Sequence, residues 1–131
     1  MLLLDYSVCI ALIGKPSLDL SSKMLAQNTQ DLNVPSIVKA ELLLAARLSR
    51  RPIENTRLIE AFLKPLIVVP FDDSSAEEYA VLCAEPAVRS AEFSSTDLLT
   101  MATALAVRAT LVTLKPSVFS RETRLKIESW A

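Results

Sequence analysis

Residues Met1 to Leu12, MLLLDYSVCIAL, open apolar, stop at one carboxylate, and turn apolar again at Val8, Ala11 and Leu12. The first four residues suit a fully buried strand, and the later spacing is that of a helix. Asp5 therefore stands at a strand-to-helix hinge. In an open parallel α/β sheet, ligands bind in the crevice outside the carboxyl ends of the strands, so an acid at such a hinge is a candidate site residue. Which side chains join it depends on the order of the remaining elements.

A chain of 131 residues suits one domain spanning 1–131, long enough to bury well over half of the surface its unfolded form exposes. Hydrophobic residues make up 51% and charged residues 22%, which excludes a disordered chain and predicts helices buried on more than one side. Fourteen basic against fifteen acidic residues give a net charge of −1, which argues against holding nucleic acid by bulk electrostatics and leaves only a local basic face open. Cys9 and Cys83 lie in apolar runs without Cys-x-x-Cys spacing, and the chain has no histidine. Zinc sites and histidine catalysis are thereby excluded. Two buried free thiols suit a reducing cytoplasm. The first apolar run is broken at Asp5 and has no basic leader, so neither a signal peptide nor a membrane segment is expected.

The helix after Asp5 should stop near Gly14-Lys15-Pro16. Ser21 to Gln30 reads as a weakly periodic surface helix, Leu32 to Pro35 as a short strand, and Ser36 as the cap of a helix from about Ile37 to Ser49. Pro52 fits the first turn of a helix reaching Leu63, and Leu66 to Val69 reads as a buried strand. Asp72 and Asp73 most simply cap a helix through Tyr79, Leu82 and Cys83; a helix end and loop cover Pro86 to Phe93. Ser94-Ser95-Thr96-Asp97 opens a nearly uncharged, deeply buried helix to about Val107. A strand over Thr110 to Thr113, a turn or short helix around Phe119, and a last strand over Leu125 to Trp130 complete the order.

Two further acids stand out. Glu41 falls four residues from both Ile37 and Ala45, on an apolar stripe, where it is protonated, paired or cation-bound, or else reaches solvent from a rim position. Asp97 stands in the first turn of its helix, where the helix N-terminus alone would explain a carboxylate. Strands and helices in alternation favour a parallel sheet covered on both faces through right-handed crossovers. In that fold Asp5, Glu41 and Asp97 can converge on a hard, oxygen-rich site suited to Mg²⁺ or Mn²⁺ and, through the metal, to phosphate chemistry. Arg47, Arg50 and Arg51 form the densest basic cluster. They are candidate RNA contacts or simply a solvated helix end.

The opening LLDYSVCIAL resembles the L-L-D-T-N-x-x-I start of PIN-domain proteins. KAELLLA is similar to their A-E-L-x-x-G helix, TDLLTMATAL to their N-D-x-x-I-A-A-x-A helix, and LVTLKPSVF to L-V-T-x-[DN]-x-x-x-F. The likeness spans essentially the whole chain and runs nearest to the VapC-type toxins of type II toxin-antitoxin systems. It implies a PIN-like three-layer α/β fold, a central parallel sheet with helices on both faces. It further implies a metal-dependent endoribonuclease, usually a homodimer, acting on RNA of the tRNA or rRNA class. A VapB-like antitoxin that also binds DNA would hold it in check. By motif matching, Asp5, Glu41 and Asp97 take the places of the family's metal-binding and catalytic acids, with Ser7, Thr113 and Lys115 lining the site.

Three departures bear on that expectation. Tyr6-Ser7 replaces the family's Thr-Asn, and Lys115 replaces an acid or amide two residues after Thr113. An ammonium in the cleft would oppose a cation and weaken metal binding, leaving a one-ion nuclease with a lysine against the phosphate, or a weakened domain that binds RNA or protein without cutting. It can also point to solvent, the most common outcome for a lysine in a loop. Lys115-Pro116 and Asp72-Asp73 also look superficially like a phosphoacceptor receiver domain, but Asp5 lacks the adjacent acid that such a domain needs.

Overall fold

The computed structural model describes residues 1–120 and 124–131. The elements run β1 (Leu2–Leu4), α1 (Tyr6–Ile13), α2 (Leu18–Leu25), a 3-10 turn (Thr29–Asp31), β2 (Leu32–Pro35), α3 (Ser36–Arg47) and α4 (Pro52–Leu63). There follow β3 (Ile67–Val69), α5 (Asp73–Ala84), α6 (Pro86–Arg89), α7 (Ser95–Val107), β4 (Thr110–Thr113), α8 (Pro116–Phe119) and β5 (Lys126–Ser129). All strand pairs are parallel, in the order β3-β2-β1-β4-β5.

The pleat of the central strands sorts the core into two layers. Successive side chains of a strand point to opposite faces. Leu4 and Val112 accordingly pack with Val8, Leu20, Val38, Leu42 and Ile59 from α1 to α4. Leu3 and Leu111 pack with Leu82, Val88, Met101, Ala104 and Phe119 from α5 to α8. The chain winds from β1 through β2 to β3 under one helical layer, then returns to the far side of β1 under the other, so this is the three-layer arrangement expected from the sequence. Among the described residues no helix is long and apolar enough to cross a membrane.

Four local expectations are corrected. The surface helix begins earlier, because Ser17 accepts from Leu20 N and caps it, and it ends at Leu25 before the separate 3-10 turn capped by Asn28. Ser36 does not cap α3: the capping position is Pro35, without a side-chain bond, and the Ser36 hydroxyl instead accepts from Phe71 N at 3.3 Å. Pro86 starts a one-turn helix of its own where a helix end and a loop were expected, since its fixed φ suits a first helical turn. Cys9 is buried, whereas Cys83 is only half-buried.

Candidate functional site

β1 and β4 are neighbours whose chains leave toward opposite helical layers, which opens a crevice at their carboxyl ends. Asp5 is the first residue past β1 there, and its backbone N–H donates to Val112 O at 3.0 Å. Its carboxylate then serves two ends. Oδ1 accepts from Val8 N at 3.0 Å, which caps α1, and from Ser7 Oγ at 2.6 Å. Oδ2 accepts from Thr113 Oγ1 at 2.5 Å.

The two hydroxyls are themselves fixed by backbone amides. Leu114 N donates to Ser7 Oγ at 3.1 Å, and Lys115 N donates to Thr113 Oγ1 at 2.9 Å. Each hydroxyl accepts from an amide and spends its single proton on Asp5. Asp5 is 4% exposed and Thr113 is fully buried, so this pairing offsets the cost of removing an acid from water. Cys9, next along α1, contributes no nucleophile: burial and then the nearby charge of Asp5 push its thiol up, far out of the range where a thiolate forms.

The structure thus gathers Asp5, Ser7, Thr113 and the Lys115 backbone into one network. Glu41 and Asp97 lie outside it. The buried line of α3 is Val38, Leu42 and Ala46, so the Ile37–Glu41–Ala45 stripe sits at the rim and Glu41 is exposed. It needs no buried partner. Asp97 is half-buried in the first turn of α7, where its N–H donates to the capping Ser94 Oγ at 3.1 Å. Both helices present their N-terminal halves at the carboxyl edge, because α3 starts from the end of β2 and α7 runs back to the start of β4; the two helices touch.

Among the described residues, no three acids or thiols lie close enough to form a ready-made metal cage. The donors are nonetheless all oxygens on elements that end at one edge, with Asp5 already held in place. That set fits a hard divalent cation which keeps several of its waters and takes few protein ligands.

The Lys115 side chain is exposed and forms no ion pair among the described residues. Arg47, Arg50 and Arg51 are exposed at and beyond the C-terminal end of α3, about 15 Å along the helix from its start at the crevice side. Arg51 pairs with Glu54 at 3.4 Å, and Arg47 lines a surface hollow of about 430 Å³ with Pro52, Ile53, Thr56, Arg57 and Glu60. Asp72 and Asp73 follow the edge strand β3, and Asp72 caps α5 through Ser75 N at 3.0 Å. The amides of Val8, Leu114 and Lys115 were not legible as site groups from sequence. The nearest signal was Asp5 for Val8 N, and the hydroxyl residues Ser7 and Thr113 for the amides of Leu114 and Lys115.

A parallel α/β sheet with an acid at its switch point, flanked by acids on two further helices, is the class these observations define. The chain belongs to the PIN domain family, whose family model matches residues 2–121. Among curated relatives, Ribonuclease VapC2 of Rickettsia felis is 29% identical over 129 residues, 98% of this chain and 96% of that protein. Ribonuclease VapC2 of Haemophilus influenzae is 28% identical over 128 residues, again 98% and 96%. Among solved structures, VapBC2 from Rickettsia felis bound to a DNA fragment from its promoter matches with TM-score 0.90 and 27% identity, over 99% of this chain and 98% of that one. DNA-bound VapBC from Salmonella typhimurium matches with TM-score 0.92 and 25% identity over the same shares.

Proposed function

We propose that this chain is the toxin of a toxin-antitoxin pair, an endoribonuclease that hydrolyses RNA phosphodiester bonds with Mg²⁺ or Mn²⁺ and is silenced by a VapB-like antitoxin. The observation that carries the reading is the Asp5 network at the β1/β4 switch point in a chain of the PIN domain family. The names of its relatives, ribonucleases of the VapC type and VapBC complexes on DNA, support both the activity and the partner.

Asp5, Glu41 and Asp97 would hold the cation. When bound, such a cation lowers the pKa of its water and offsets charge on the phosphate. The chain's own part is positional. Ser7 and Thr113 fix both oxygens of Asp5, so the acid meets a ligand without paying to order its side chain at that moment. The α1 cap holds Asp5 against the sheet, and Asp97 would approach the cation from the first turn of α7. A homodimer in the cytoplasm, acting on tRNA or rRNA, completes the proposal.

Antitoxin-free protein incubated with tRNA and rRNA fragments in Mg²⁺ or Mn²⁺ tests this, with chelator and Asp5→Asn alongside. Cleavage that disappears in both controls is the expected result. Folded protein that leaves every RNA intact in either metal would overturn the nuclease and leave a binding domain.

A further inference from the structure

We propose that Lys115 is the residue that grips the RNA phosphate at this site, an assignment that rests on the nuclease reading above. Its backbone is locked to the crevice, since its N–H binds Thr113 Oγ1 and that same hydroxyl donates to Asp5 Oδ2. The neighbouring Leu114 N–H is held by Ser7, so the two residues that follow Thr113 are pinned within two hydrogen bonds of the acid. The side chain, by contrast, is exposed and has no ion-pair partner among the described residues.

The acid its backbone is tied to, Asp5, does not claim it. Asp5 is buried and its two oxygens already accept from Val8 N, Ser7 Oγ and Thr113 Oγ1, so no ammonium is needed to offset it. A flexible, strongly hydrated cation with no ion pair among the described residues, carried on backbone tied to the Asp5 network, is matched to an anion arriving from solvent. An RNA phosphate brought to Asp5 is such an anion. A divalent cation at the three acids would offset only part of the charge that the phosphate develops, which leaves a share for a lysine.

The test measures binding of a defined single-stranded oligoribonucleotide in chelator, where no cleavage intervenes, as a function of salt for wild type, Lys115→Ala and Lys115→Arg. Loss of one phosphate contact should flatten the log–log salt slope by about 0.7 and weaken binding several-fold in Lys115→Ala, with the slope restored in Lys115→Arg. Mn²⁺ affinity read by electron paramagnetic resonance should stay within about 2-fold, and in cleavage assays KM should rise more than kcat falls. Thermal midpoints should not move, because the fold uses the backbone of Lys115, its N–H on Thr113 Oγ1 and its carbonyl accepting from Val118 N, and no described ion pair of its side chain. A cleaving wild type whose salt slope is indifferent to Lys115→Ala overturns this assignment alone. So does a tenfold rise in Mn²⁺ affinity with RNA binding unchanged, which would make the lysine a competitor of the cation. A wild type that neither cleaves nor binds RNA overturns the nuclease reading together with it.

Discussion

Asp5 and Asp72 occupy the same local structure at two places in the sheet. Each follows a parallel strand, caps the next helix by accepting a backbone N–H three residues on at 3.0 Å, and accepts from a serine hydroxyl of the first turn, Ser7 at 2.6 Å or Ser75 at 3.2 Å. The difference lies in the neighbours. β1 is central and has β4 beside it, so Thr113 reaches the second oxygen of Asp5; β3 is an edge strand paired only with β2. Asp5 is 4% exposed, while Asp72 is open to solvent. Capping chemistry is therefore common to both junctions, and position at the switch point is what turns one of them into a candidate site.

The substitution expected to separate the two junctions most is Asp5→Asn. An amide cannot accept from Ser7, Val8 and Thr113 together without turning its NH₂ group against a donor, and it removes the charge a cation needs. RNA cleavage should fall by on the order of 100-fold or more, because the cation of the proposed reaction would supply several kcal/mol of transition-state stabilisation. Retention of most of the activity in an initial-rate assay would mean that position at the switch point does not define the site.

Next in size is Thr113→Val, which keeps the shape but leaves Asp5 Oδ2 and the Lys115 N–H without their partner. Denaturant unfolding should show a loss of about 1–3 kcal/mol. Cleavage should drop about 10- to 100-fold, as for other residues that orient a metal ligand. Ser7→Ala should cost about 1 kcal/mol and less activity, since Val8 N still holds the same oxygen. The two losses should not add, because both hydroxyls act on one carboxylate; strict additivity in the double variant would dissolve the network into independent bonds.

The contrast between the junctions was only partly legible from sequence. The hinge at Asp5, the strand over Thr110 to Thr113 and the start of α7 after Ser94 follow from local signals: an apolar run, β-branched residues, a capping hydroxyl. Ser36 misled because a hydroxyl at a helix start looks the same whether it caps its own helix or accepts from Phe71, 35 positions away. Glu41 stayed open between a buried and a rim position because Ile37–Glu41–Ala45 and Val38–Leu42–Ala46 are adjacent stripes, both largely apolar, and only the packing of α4 and the sheet decides which is buried. The bond from Thr113 to Asp5 spans 108 positions and depends on the Leu4–Val112 register, which no local pattern encodes.

The smallest expected effect, and the sharpest control, is Asp72→Asn. Hydrogen bonds from Ser75, first from its backbone N–H, hold the Asp72 carboxyl below its ordinary value of 3.8. A group whose folded pKa is depressed stabilises the fold above its unfolded pKa and loses that contribution as pH falls through the folded value. Wild type should thus be slightly more stable than Asp72→Asn at pH 7, and the gap should close as pH drops below 3.8. The gap stays small because the carboxylate is exposed and screened, and because asparagine is as good a cap as aspartate. Melts of both proteins across that range at fixed ionic strength measure it, and cleavage of RNA at pH 7 should be identical for the two. If Asp72→Asn instead cuts activity as Asp5→Asn does, the edge junction would share the function, and the capping acid itself, wherever it stands in the sheet, would be the thing that matters.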